Sequence, residues 1–429
     1  MDTLATPPQT MLDARIKGYP PHWPALALAQ AGAQSWQLLR GDLPLPLAVL
    51  KDSALRHNLA WMQDFCRARG IDIAPHGKTT MSAELYRRQL DAGAWGISFA
   101  NVTQAALGFR SGVARILIAN QVLQDADLDA LDALLGRHAS SRAVFLLDSL
   151  AQLRAIEAWQ VQRASPRAFE VLLELGVPGY RTGVRSLPDA LALARAARQS
   201  PAVRLVGVET YEGSLATCDS EQETREVAAL MGQLRALATA CVAEACFECD
   251  EVIVSAGGSA VFDLVARELK PLLDRPVRGV LRSGCYLTHD HQRYHRHLQC
   301  VGARLQLGQT LQPALELLAR VQSQPEAGLA LVAMGKRDVS HDLDMPLPLW
   351  RLDAQGRRQA VPEHWRIQAL NDQHAHLRFA PTAPAHEWPQ VNEVLGFGIS
   401  HPCTTFDKWR WMPVVDDDYR VIDAISTCF

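Results

Sequence analysis

The 429-residue chain has no run of about 18 uncharged apolar residues, the length a helix needs to cross a bilayer. Its first residues, Met1 to Pro21, lack a basic start followed by an apolar stretch, so no secretory leader is expected. It has no excess of positive charge. Lys and Arg number 43 and Asp and Glu 46, a formal −3. A near-neutral chain argues against nucleic acid as the main partner, because phosphate backbones favour a basic surface. Cysteine is unpatterned: nine residues, an odd number, without a repeating spacing. In a chain of this size that reads as reduced cytosolic thiols, not a disulfide framework. No GxSxG elbow, no HExxH and no GxGxxG after a strand occurs. Low-complexity tracts and short internal repeats are also lacking.

What is present is an ordinary globular composition, 48% hydrophobic and 21% charged, long enough for two or three domains at about 150 residues each. Residues 1–44 are Pro-rich and weakly patterned, an N-terminal extension. From 45 onward short continuous apolar runs alternate with amphipathic stretches. The runs are 45–51, 71–75, 96–100, 115–119, 143–148, 169–176, 203–211, 251–255 and 277–284. Runs of that kind are parallel strands covered on both faces. Leu128, Leu131 and Leu135, then Leu150, Leu153 and Ile156, stand at helical spacing between them. Pro188 sits where a first helical turn tolerates it. Alternating strands and helices predict a (β/α)8 barrel over 45–300, with the ninth strand, the first, pairing elsewhere. After 300 the rhythm breaks, and 301–429 reads as a smaller, mostly β domain.

A barrel of this kind carries its chemistry at the C-terminal ends of its strands. His76-Gly77-Lys78-Thr79-Thr80 follows the second run. It is no P-loop, since that motif needs Gly where Asp72 stands. A lysine there can instead form a Schiff base once partly desolvated; the bland alternative is a surface lysine. Gly257-Gly258-Ser259 precedes an expected helix over 260–269, a combination that cradles anions; otherwise it is an ordinary tight turn. His401-Pro402-Cys403 sets an imidazole and a thiol two residues apart, on one face of an extended stretch, where an open zinc site could form. By chance alone the pair means nothing. His289, His291, His295 and His297 around Asp290 read as a polar interface or loop more than a metal site, and Trp409 and Trp411 as packing or pocket wall.

These segments resemble the alanine-racemase-like barrel of fold-type III pyridoxal-phosphate (PLP) enzymes, and within it the D-serine dehydratase and D-threonine aldolase family. The resemblance spans roughly 45–429. It rests on Lys51-Asp52-Ser53-Ala54-Leu55-Arg56-His57-Asn58 and on Ala74 through Thr80. It rests further on Glu174 through Val184, Tyr211-Glu212-Gly213-Ser214, Leu281 through Tyr286, and His401-Pro402-Cys403. It implies that Lys78 carries PLP and acts as catalytic base. Arg181 would face the pyridine nitrogen. Gly257, Gly258 and Ser259 would hold the phosphate with Tyr286 nearby, and Tyr211 would line the pocket as a second catalytic residue. His401 and Cys403 would bind zinc. In this family the His-x-Cys version of the metal pair goes with dehydratases and His-x-Asp with aldolases. The resemblance thus implies a cytoplasmic, homodimeric PLP- and zinc-dependent lyase. It would convert β-hydroxy D-amino acids to a 2-oxo acid and ammonia, without nucleic-acid or membrane partners. The alternatives are an aldolase, which needs proton removal from the β-hydroxyl, a racemase, which needs a base on each face and no metal pair, and a non-catalytic PLP-binding protein. The chain departs from the family pattern at Glu212, where His is expected, in the long 1–44 extension and in 335–346.

Overall fold

The computed structural model describes residues 10–353 and 355–429. Eight strands form one parallel sheet: Asp72–Ile73, Ile97–Phe99, Arg115–Gln121, Arg142–Leu147, Phe169–Leu175, Val203–Thr210, Val252–Ala256 and Val277–Leu281. The first pairs with the last, and the two chain-order neighbours Asp72–Ile73 and Ile97–Phe99 complete the circle. There Trp95 N–H donates to Ile73 O at 2.8 Å and Ser98 N–H to Pro75 O at 2.9 Å. The barrel is filled by alternate residues of these strands, among them Leu117, Val144, Leu172, Val206, Ile253 and Val280, all buried. Their partners on the outer face pack under the helices, which is why the runs read as continuously apolar.

Polar side chains start the covering helices. Ser82, Asn101, Ser149, Ser186 and Asp219 each accept a backbone N–H from the first turn. By length and composition the helix Ser220–Ala243 could cross a membrane. It does not run uncovered, however: Val227, Leu230, Leu234, Leu237 and Cys241 are buried at helical spacing, and Arg235 pairs with Glu268 at 2.7 Å. The helix expected over 260–269 shrinks to one turn, Phe262–Ala266, with no capping side chain at Val261 and a left-handed Gly258 just before it.

The ninth strand, Leu47–Lys51, leaves the barrel as expected. It joins a second, mostly antiparallel sheet, pairing with Leu315–Glu326 and with Trp411–Val415. The segment 10–44 is tied to this sheet too. Tyr19, Trp36 and Trp411 meet edge to face with centroids 6.2–6.5 Å apart, and Trp411 Nε1 donates to Lys17 O. Trp409 and Trp411 are therefore packing residues. The nine cysteines are free thiols. The second sheet sits over the C-terminal rim of the barrel: its turn at residues 399–403 meets the last barrel loop, where His291 N–H donates to Ile399 O.

Candidate active site

A cavity of about 630 Å³ opens at that rim. The volume suits a drug-sized ligand. Lys78, Arg181, Tyr211, Gly257, Ser259, His401 and Cys403 line it, so seven of the nine residues singled out from the sequence converge. Gly258 is drawn in behind them, and Tyr286 is buried beside Ser259 with its hydroxyl accepting from Gln89 Nε2 at 3.3 Å. His76, Thr79, Glu174, Glu209, Arg282, Arg293 and Tyr294 also line it, and of these Arg293 and Tyr294 lay outside the segments picked out beforehand.

Lys78 sits on a single 3-10 turn, Gly77–Thr79, immediately past the first barrel strand. The turn is rigid for a steric reason. A Cβ at Gly77 would lie 2.9 Å from both Ile97 and Phe99, and Tyr86 Oη donates to Gly77 O at 2.8 Å. Lys78 Nζ makes no hydrogen bond or ion pair among the described residues and is half-buried.

The expected phosphate turn is only partly available. Glu212, fully buried, accepts the N–H groups of both Gly257 (3.0 Å) and Gly258. Those two glycines therefore do not offer their amides to an anion. Their small size still matters: a Cβ at Gly257 would meet the Tyr211 ring at 2.7 Å, and Gly258 has φ +74°. The N–H groups of Ser259, Gly284 and Cys285, in contrast, have no protein acceptor among the described residues, and all three residues line the cavity. Unpaired buried amides of this kind fit a multi-oxygen anion such as a phosphate ester.

Arg181 stands on an exposed loop. Its guanidinium lies 4.7 Å over the Tyr211 ring, and the loop is fixed by Gly183 N–H to Asp148 at 3.1 Å. The guanidinium buried in the floor belongs to Arg282, 4% exposed. It donates to Ser255 Oγ at 2.7 Å and Thr210 O at 3.1 Å, and pairs with Glu209 at 2.6 Å. Tyr211 supplies a ring face, not an acid or base of its own that the geometry identifies.

Burial pushes the Glu209 carboxyl up to about 8, against the pull of Arg282. The folded protein thus holds a proton that the unfolded chain releases near 4.5. The group's contribution to stability is complete below about 4.5 and is lost as pH rises to about 8. Glu209→Gln has no such titration. The stability of the wild type relative to Glu209→Gln should therefore drop between pH 5 and pH 8, on the order of a few kcal/mol. Urea unfolding of both proteins at the two pH values checks this, and a constant difference refutes it.

On the opposite element, Cys403 Sγ lies 3.4 Å from Thr79 Oγ1, next to Lys78, and 3.9 Å from Cys285 Sγ. Contact with the Cys285 thiol, then with His401 and Thr79, holds Cys403 well below the ordinary thiol range. His401 is pushed up to about 9 by Cys403 and by Asp342, whose carboxylate lies 2.5 Å from its Nδ1. A nitrogen and a thiolate sulfur are a donor set for zinc more than for magnesium. A carboxylate behind a ligating histidine is the usual support for one. Among the described residues no three His, Cys, Asp or Glu side chains form a ready cage, so the pair offers at most two donors from the cavity wall. His289 and His291, pushed down to about 3 and 4 by burial, are neutral packing groups between barrel and sheet.

Comparison with known proteins agrees with this architecture. Residues 51–287 match the family model "Alanine racemase, N-terminal domain", and 314–415 match "Putative serine dehydratase domain". A D-threonine aldolase from Arthrobacter sp is 27% identical over 87% of this chain and 89% of its own. A D-threo-3-hydroxyaspartate dehydratase from Delftia sp. (strain HT23) is 31% identical over 43% of this chain and 48% of its own. A solved cysteine-to-alanine mutant of D-threo-3-hydroxyaspartate dehydratase, in the metal-free form, superimposes with a TM-score of 0.70 at 25% identity, covering 92% of this chain and 99% of that one. With the barrel, the lysine at its first strand end and the two matched domains in place, the chain belongs to the alanine-racemase-like family of fold-type III PLP enzymes.

Proposed function

We propose that the protein is a PLP- and zinc-dependent lyase that eliminates the β-hydroxyl of a β-hydroxy D-amino acid as water, the resulting enamine taking water back on hydrolysis to release ammonia and a 2-oxo acid. The observation that carries this reading is the His401–Cys403 pair in the wall of the lysine cavity, one residue's contact away from Lys78. The relatives support the substrate class, since each acts on a β-hydroxy amino acid by name. The metal-free form of the solved dehydratase mutant supports a metal in the working enzyme.

Bound PLP would supply the electron sink for charge developing at the substrate Cα, and zinc the Lewis acidity for the departing hydroxyl. The chain's own residues supply the rest. Lys78 Nζ would hold the cofactor and, once freed, take the Cα proton on its own face. Ser259 with the amides of Gly284 and Cys285 would bind the phosphate. We assign the ring nitrogen to Arg282 instead of Arg181, because its guanidinium is buried and triply held while Arg181 is solvent-facing. Arg181, over Tyr211 at the mouth, is placed to meet the substrate carboxylate. We extend the reading to a cytosolic homodimer; the free thiols support a reduced compartment.

Product analysis from D-threonine and D-threo-3-hydroxyaspartate, with PLP and zinc, tests the reading. D-threonine should yield 2-oxobutanoate and ammonia. Glycine and acetaldehyde would instead make the protein an aldolase, the reading favoured by the Arthrobacter relative. Interconversion of D- and L-isomers would make it a racemase.

A further inference from the structure

His401 is a non-glycine residue held at φ +65°, in the left-handed region that side-chain-bearing residues rarely occupy. Something must hold it there. Its ring is fixed by Asp342, but its main chain is fixed from a different element. The N–H of His401 donates to Asp290 Oδ2 at 3.0 Å, across 111 residues. Asp290 is fully buried. Its other oxygen accepts from Gln292 N–H (3.0 Å) and His295 N–H (3.2 Å), at the start of the helix Arg293–Leu305. Both carboxylate oxygens are thus committed, one to the helix start and one to the turn. The helix end offsets the burial of the charge.

The same loop that contributes Arg282, Gly284 and Cys285 to the cavity ends, five residues after Cys285, at Asp290. We infer that Asp290 is a positioning residue for the metal ligand: it clamps the main chain of His401 in the conformation that carries its imidazole onto the cavity wall, and so sets metal affinity from the cofactor side of the site. The inference rests on the reading of His401 and Cys403 as zinc ligands. Capping the helix is a separate duty of the same carboxylate, and the two duties can be told apart.

The test uses full-length protein loaded with PLP and stripped of metal by a chelator. Zinc affinity is read by competition with a chromophoric chelator, and ligand geometry by the thiolate absorption of the cobalt(II)-substituted protein. Asp290→Asn should weaken zinc binding about 10- to 100-fold, the usual cost of a lost support behind a ligand, and change the cobalt spectrum. The PLP absorbance should stay. Asp290→Ser keeps a hydroxyl for the helix start but cannot also reach His401, so it should lose affinity to the same degree. In a His401→Ala background neither change should weaken binding further, because a residue acting through His401 has nothing left to act on. Wild-type affinity in Asp290→Ser, or an undiminished loss in the His401→Ala background, overturns the inference and leaves the metal reading intact. Wild-type protein that takes up neither zinc nor cobalt overturns the metal reading and the inference with it.

Discussion

Lys78→Ala should abolish both the absorbance of lysine-bound PLP and the catalytic activity, with a loss of at least about 10³-fold, as expected when the positioned base goes. The loss should be purely functional. The Lys78 side chain is half-buried and makes no hydrogen bond among the described residues, so its removal leaves the fold's contacts in place. The turn that carries it is set by Gly77, Tyr86, Ile97 and Phe99, none of which changes. Unfolding free energy of the cofactor-free protein should therefore stay within about 0.5 kcal/mol of the wild type. Ultraviolet–visible spectra, product assays and urea melts decide it together. A variant that keeps the absorbance and turns over would remove Lys78 from the centre of the site.

Cys403→Ala should separate the two cofactors. Metal content should fall from about one ion per chain to near zero, since one imidazole alone makes a poor zinc site. Elimination should fall about 10²-fold or more, because a poor leaving group loses its Lewis acid. The PLP spectrum should not change, since Cys403 touches Thr79 and Cys285 but not the lysine itself. The metal is counted by elemental analysis of dialysed protein. If the variant retains the wild-type metal content, the ion is bound elsewhere.

Much of the barrel was legible in the chain. All nine apolar runs contain strands, and the eight of the barrel read as nearly continuous apolar runs because a parallel strand is covered on both faces. The residues that failed to follow expectation failed for long-range reasons. The helix expected over 260–269 is only Phe262–Ala266, with no side-chain cap at Val261 and a left-handed Gly258 ahead of it. Gly257 and Gly258 read as an anion turn, but a carboxylate 45 residues earlier takes their amides. Arg181 and Arg282 both stand in recognisable segments, and only the fold shows that the buried guanidinium is Arg282.

By itself the sequence determined the kind of protein: a parallel barrel with a lysine at its first strand end, followed by a β domain bearing a histidine and a cysteine two residues apart. These features are local. They are written in runs of a few residues, where period, turn chemistry and ligand spacing are visible. Only the tertiary structure decided how the site is assembled. His401 is completed by Asp342 and Asp290, 59 and 111 residues away, and Arg282 by Glu209 at the end of another strand. A hydrogen bond or ion pair between distant residues leaves no periodic trace in the chain, because it is imposed by the closing of the barrel and the seating of the second sheet upon it.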